Sequence, residues 1–419
     1  MTNLPPDQPE PLESQKLDNT PLQTTRISSV SDLDAHRGAW RTLAHGAPMR
    51  SPEWLLVWWQ FYAKPDDELC VLLFHEQEGS LAGLAPLYIE TLGNRRTVRL
   101  LGSGEASTNH TTWLAVAGQE NRISTAVAQF LLGLKPAWNS VQFDSVDADD
   151  MAVNATAAYV VEHGCLVRRK PLHNCWRIAL PSTWEDYLMM LSRSHRKRCR
   201  ALHQRYFESG RVQIHTVSGP ADFHRGFEIL LQLHSDRWGE PAKPLGCFSD
   251  QRFRKFHETV ALELLKTNQL LLVWLECDGK PIAVEYQFID TTTVYSYLAG
   301  MDTSVTEFPP GNLSVAASLQ LAIAHGCTRF DLSRGDQPYK ANWRATPMAC
   351  HNIRIWPNNL SGRLEHAVWG MRNLANSGKK LAVTRIKASV PPRFIDVWRQ
   401  IHSTVSGKRR GPRKVGSSK

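Results

Sequence analysis

The sequence predicts an α+β protein with mixed sheets, in which one lobe occurs twice in tandem and is followed by a helical extension. Two observations carry this. The order strand, strand, strand, loop, helix, strand recurs at an offset of about 190–200 residues. Within each copy the apolar residues run in strand-length blocks bounded by tight turns, Glu78-Gly79 in the first and Asp278-Gly279 in the second.

In the first copy, Glu68–His75, Leu81–Glu90 and Thr97–Leu101 read as strands, Asn121–Leu134 as a helix and Ser140–Asp144 as the closing strand. In the second, Gln269–Cys277, Pro281–Ile289 and Val294–Met301 are the strands, Asn312–His325 the helix and Thr328–Asp331 the closing strand. Helical spacing precedes each set, over Pro52–Phe61, and over Asp222–Asp236 and Asp250–Lys266. Composition favours a disordered lead at 1–25 and a disordered basic tail at 406–419. Between them lie a first lobe at 26–180, a second at 181–357 and a helical extension at 358–405.

The 419 residues are 42% hydrophobic and 21% charged, which excludes a collagen-like, coiled-coil or wholly disordered chain. No apolar run approaches the ~20 residues of a membrane span, and no leader pattern opens the chain, so a cytoplasmic protein is expected. The net charge of +9 is unevenly placed, because residues 192–211, 361–405 and 406–419 are strongly basic while the body is mildly acidic. Peripheral contact with an anionic polymer, or with the inner face of a membrane, is therefore expected of the basic segments. Nucleic acid is not, because Arg193, Arg196, Lys197 and Arg200 share a helix face without interleaved aromatics. The eight cysteines form no CxxC, so buried thiols and no metal site are expected.

Two stretches have the residue types of a binding site. Pro309-Pro310-Gly311-Asn312 opens a helix after Gly300-Met301, and a helix start is a place for an anion such as pyrophosphate. Asp331-Leu332-Ser333-Arg334-Gly335-Asp336 then ends a strand in a polar turn, followed by Tyr339, Lys340 and Trp343. Loops after strand C-termini are where open sheets place ligands.

The pattern Phe330-Asp331-x-x-Arg334-Gly335-Asp336-x-x-Tyr339-Lys340-x-x-Trp343, behind a hairpin, a strand and a Pro-Gly-opened helix, resembles the GNAT superfamily of acyltransferases. More narrowly it resembles the CelD-type (cellulose-biosynthesis) acetyltransferases, relatives of the FemAB-like peptidyltransferases, which are built of two GNAT-like lobes. Leu233-His234-Ser235-Asp236-Arg237-Trp238 and Ser51-Pro52-Glu53-Trp54-Leu55 extend the resemblance. It implies transfer of an acyl group from acetyl-CoA or another acyl-CoA to an amine or hydroxyl of a sugar or cell-envelope precursor. Tyr339 would protonate the departing thiolate, and Glu285, or after it Asp331, would take the proton of the nucleophile. The strand around Leu298 and Gly300 would offer an N–H to the thioester oxygen, with Gly311 and Asn312 under the pyrophosphate. His234, Arg237 and Trp238 would wall the acceptor, Lys340 would hold a phosphate, and Arg334, Asp336 and Trp343 would complete the substrate side. The stretch Phe308–Asn312 lacks the Arg or Gln and alternating glycines of the usual GNAT phosphate loop. An aminoacyl-tRNA donor of the FemAB kind, or a non-catalytic scaffold role in polysaccharide assembly, therefore stands as the alternative.

Overall fold

The computed structural model describes residues 21–134, 137–240 and 244–373. Its strands are, in chain order, β1 (Gln23–Ile27), β2 (Glu68–His75), β3 (Leu81–Leu92), β4 (Arg95–Leu100), β5 (Leu114–Ala115), β6 (Ser140–Asp147) and β7 (Leu166–Pro171). The second half adds β8 (Cys175–Ala179), β9 (Val212–Thr216), β10 (Leu270–Cys277), β11 (Lys280–Ile289), β12 (Thr293–Met301), β13 (Arg329–Arg334), β14 (Thr346–Met348) and β15 (Cys350–Trp356). The helices are α1 (Val30–Leu33), α2 (Arg37–Leu43), α3 (Pro52–Tyr62), α4 (Glu120–Gly133), α5 (Met151–Glu162), α6 (Trp184–Met190), α7 (Arg193–Leu202), α8 (Pro220–Trp238), α9 (Gln251–Lys266), α10 (Pro310–Ala324) and α11 (Tyr339–Asn342).

Two mixed sheets result, ordered β1-β2-β3-β4-β6-β15-β7 and β14-β8-β13-β12-β11-β10-β9, with β5 pairing β3 outside the first path. The predicted repeat is visible in them. In both sheets three strands pair antiparallel, and the helix α4 or α10 then leads to a strand parallel to the third, β6 to β4 and β13 to β12. A parallel return needs such a crossover, which is why a helix stands there in each copy.

The lobes exchange strands. β8 lies within the range 26–180 yet pairs β13 of the second sheet, and β15 lies within 181–357 yet sits between β6 and β7 of the first. Alternating apolar residues mark a strand but not the sheet that receives it, so the exchange has no signature in the sequence. At the N-terminus, β1 begins at Gln23 and pairs β2 in the register Gln23↔His75, inside the lead expected to be disordered. Its residues Gln-Thr-Thr-Arg are exposed, and a polar edge strand lacks the pattern by which strands are read. The rest of that lead, and the extension and tail from residue 374 on, lie outside the described residues. Residues 360–373 of the C-terminal unit are helical.

One apolar core joins the two lobes. Ser51 caps α3 by accepting a hydrogen bond from the Trp54 amide, and Pro52 takes the first helical position, where no N–H is needed. The helix so started packs on α9, with Trp54 edge-on to Phe256 and Phe288 at centroid distances of 5.2 Å each. His257 is fully enclosed in this cluster, and burial pushes its pKa down to about 3, so it stays neutral. All eight cysteines are free, and six of them are buried.

Candidate active site

β12 and β13 pair over only three positions, Thr293↔Arg329 to Tyr295↔Asp331, and then part. A bulge on β12 begins there, between the pairs Tyr286↔Leu298 and Gln287↔Ser296. It turns both Tyr297 and Leu298 toward the shared core, while Ser296, Ala299 and Met301 face the opening between the strands. A cleft of about 420 Å³ fills that opening. Its floor is β11, its sides are Phe330 and Leu332 of β13 and the start of α10, and its rim holds Arg237, Tyr339 and Trp343.

Glu285 lies on this floor at 5% exposure, in a mostly apolar strand. Burial raises its carboxyl to about 7, against the opposing pull of the 2.7 Å hydrogen bond that Ser314 Oγ donates to it and of the Arg237 charge. Gln287, two residues on and on the same face, donates to Ser318 Oγ at 3.0 Å, and its Oε1 is buried without a partner. Tyr339 is 41% exposed at the rim; burial and the nearby Glu285 both raise its phenol. Arg237 makes no hydrogen bond or ion pair among the described residues and stacks 4.9 Å from the ring of the exposed Trp238.

Of the residues expected at the site, Glu285, Tyr339, Arg237, Gly311, Asn312 and Trp343 line the cleft. The others are engaged elsewhere. Lys340, expected to hold a phosphate, is 2% exposed, and its ammonium donates to the carbonyls of Leu332, Ser333 and Arg334 at 2.9, 3.0 and 2.9 Å. It clamps the turn after β13, and burial lowers its pKa to about 8. Asp331 alternates with Phe330 and Leu332 and so faces away from the cleft, into the contact between the lobes. There it is fully buried, accepts from Arg177, and lies 3.2 Å from Nε2 of His110. Arg334 reaches Asn109, Thr108 and Ser145 of the first lobe, and Asp336 accepts from Asn174 and Trp176. His234 packs edge-on to Phe248 under a turn whose Gly246 (φ 60°) leaves room for the ring. Leu298 faces the core, and Gly300 is glycine because a Cβ there would lie 2.5 Å from the His234 amide of α8.

The helix start at α10 differs from expectation in a way that matters for binding. Pro309 and Pro310 have no N–H, and the amides of Asn312 and Leu313 are bonded to Pro309 O at 3.0 and 3.4 Å. Gly311 alone is left to offer an amide to an anion.

Three buried polar residues escaped the sequence reading: Gln287 of the floor, and Ser314 and Ser318 of α10, which hydrogen-bond Glu285 and Gln287. Their signal was present, as a polar i,i+2 pair on an apolar strand opposite a polar i,i+4 pair on an apolar helix. His110 also escaped it. Burial opposes a charge on this ring, but Asp331 on one side and Asp147, 2.8 Å from Nδ1, on the other push it up to about 10. It is an imidazolium between two carboxylates, and with Arg177 and Arg334 it ties the first lobe to the second.

The strand opening, floored by a buried carboxylate and rimmed by a tyrosine, lies in the second of two mixed-sheet lobes. Residues 193–341 match the model of the acetyltransferase (GNAT) domain family. FemX has a similar fold, with a TM-score of 0.59 at 10% identity over 82% of this chain and all of that one. L-PGS from Bacillus licheniformis aligns over 81% of this chain and 95% of its own at 13% identity and a TM-score of 0.46. A tandem GNAT protein from the clavulanic acid biosynthesis pathway covers 81% and 99% at 12% identity and 0.43. No curated protein matches the chain. Among the described residues no helix is long and apolar enough to cross a membrane, and no group of side chains is arranged to hold a metal ion.

Proposed function

We propose that the second lobe transfers an acyl group from an acyl-CoA to an amine or hydroxyl of a sugar or envelope precursor, in the manner of the CelD-type enzymes its motif resembles. The observation that carries this is Glu285, a carboxyl held near pH 7 on the floor of an opening that has Tyr339 at its rim. Such a group is a proton acceptor matched to neutral pH. The cleft residues fit the donor: Gly311 and Asn312 line one wall, and the unpartnered Gln287 Oε1 can accept from an amide N–H. When bound, the donor supplies an activated thioester carbonyl. The acceptor nitrogen or oxygen forms a bond to that carbon as the carbon–sulfur bond breaks. The acceptor's proton goes to Glu285, and the thiolate takes one from Tyr339.

Between the two acceptor classes we favour an amine. The cleft continues past Asp302 and Thr303 into a surface groove lined by Glu228 and Asp236; among the described residues Lys280, bonded to Asp302, is the one cation lining it, and Arg254 stands 4.0 Å from Glu228 at its edge. An acidic mouth attracts an ammonium, and a base is needed to deprotonate it. The reading is tested by following thiol release from acetyl-CoA with glucosamine as the amine. Turnover should rise with pH through a midpoint near 7, as Glu285 ionises. Absence of both acetyl-CoA binding and thiol release overturns it. The aminoacyl-tRNA alternative draws on one observation, the proline-blocked start of α10, and a strict requirement for charged tRNA would establish it instead.

A further inference from the structure

The start of α10 offers a single free amide, which is a poor seat for a polyphosphate, and the structure contains a better one beside it. A second cavity of about 330 Å³ adjoins the cleft and shares Asn312, Tyr339 and Trp343 with it. Its other walls are Ser192, the N-cap of α7, Ser194, His195 and Arg198 within that helix, Asn342 at the end of α11 and Arg344 beyond it. Among the described residues no carboxylate lines it. Arg198 has no hydrogen-bond or ion-pair partner among the described residues. Arg344 uses only Nε, which donates to Met190 O at 2.6 Å, so both terminal nitrogens remain. The two elements are fixed to one another: His195 Nδ1 hydrogen-bonds Asn342 O at 2.9 Å, and its ring stands edge-on to Trp343 at 4.6 Å. Two guanidinium groups, two serine hydroxyls and the positive end of a ten-residue helix thus converge on a space with no opposing charge.

We propose that this cavity is a phosphate site, and that the donor lies along the groove with its phosphates between Arg198 and Arg344 and its acyl end at Glu285. The assignment rests on the acyl-donor reading above. It adds that phosphate recognition has moved from the α10 start to α7 and the turn after α11. The opposite end of the groove is acidic, so the two substrates would enter from ends of opposite charge.

The test uses the full chain, with Arg198→Gln and the double variant Arg198→Gln/Arg344→Gln, and titrates inorganic pyrophosphate, acetyl-CoA and the phosphate-free S-acetyl-pantetheine by calorimetry. Arg193→Gln/Lys197→Gln, on the same helix but outside the cavity, controls for the charge of α7. Expected are pyrophosphate binding that competes with acetyl-CoA, and a tenfold or greater loss of both in the double variant. The single variant should give an intermediate loss, S-acetyl-pantetheine should be unaffected, and the control should bind as wild type. Equal binding of pyrophosphate by wild type and Arg198→Gln overturns the proposal, as does an equal loss in the control. Pyrophosphate binding that needs Arg198, in a protein that ignores acetyl-CoA, keeps the phosphate site and refutes the acyl-CoA reading. Arg198-dependent binding of uncharged tRNA without any pyrophosphate binding refutes the small-ligand assignment.

Discussion

The two lobes begin from the same strand order and end with opposite uses of the same opening. In the first, β4 and β6 pair over Thr97↔Ser140 to Arg99↔Gln142, and the space beyond is filled by the chain itself. The loop after β4 returns as β5, which pairs β3 at Gly83 and Leu84; Leu114 of β5 and Trp113 just before it are buried. The fit is close enough that a Cβ on Gly83 would lie 2.6 Å from Ile123 and 2.7 Å from Leu114 O. In the second lobe the corresponding loop runs straight into α10, and the space is the cleft. The floors differ accordingly: the face of β3 toward α4 buries Ala85, Leu87 and Ile89, where the face of β11 toward α10 buries Glu285 and Gln287. A duplicated lobe can thus keep its fold while one copy gives its site to packing. The plugged copy is not idle, because its loop carries Thr108, Asn109 and His110 into the contact that fixes β13 of the other.

If that contrast is right, the sharpest division comes from removing the floor carboxylate. Glu285→Gln should lower kcat by about 10²–10⁴-fold, the usual contribution of a general base, and abolish the rise of activity through pH 7. Steady-state thiol release across pH 5–9 measures both. An unchanged pH profile would make the two lobes equally inert at this position.

The plug should respond in the other currency. Trp113→Ala should cost about 3–5 kcal/mol of stability in urea unfolding, as large-to-small changes at buried tryptophans do. Once folded, the variant should keep its kcat/KM, because Trp113 packs inside the first lobe, against Phe143 and Ser124, and not in the core that the lobes share. A loss of kcat with stability intact would show that the first opening also takes part in the chemistry.

His110 tests the contact between the copies. Replacing it by Gln leaves Asp331 and Asp147 buried with one cation fewer, and breaking such an arrangement costs about 3–5 kcal/mol. The sign with pH follows from a pKa raised to about 10. The stabilisation is complete below the ordinary histidine value and is lost as pH rises through 10. Wild type should therefore lose its advantage over His110→Gln in melts taken between pH 7 and 10.5, and parallel curves would sink the assignment.

The limits of sequence reading follow the same line between local and non-local information. Both copies of the repeat were legible because Glu78-Gly79 and Asp278-Gly279 are local turn signals and β2, β3, β10 and β11 are continuous apolar runs. Glu285 and Tyr339 were legible from a motif and from strand alternation. The roles of Lys340, Asp331 and Arg334 were not, since each depends on what lies across the fold: three carbonyls, His110 and Arg177, and Asn109. The strand exchange of β8 and β15 was hidden for the same reason.

The smallest expected effect also bears on the difference between the floors. A carboxyl raised from 4.5 to about 7 weakens the folded state once it ionises, so its neutral form is favoured by folding at low pH and that gain is gone above pH 7. At about 1.4 kcal/mol per unit, the penalty at pH 8 is at most about 3.5 kcal/mol, and less where water reaches the cleft. Glu285→Gln, nearly useless as an enzyme, should therefore melt higher than wild type at pH 8 and close to it at pH 4.5. No change on the matching face of β3 should behave this way, because Gly83, Ala85, Leu87 and Ile89 carry no ionisable group. A Glu285→Gln protein less stable than wild type at pH 8 would mean that the carboxylate holds the cleft together, and the second floor would then be a structural element like the first.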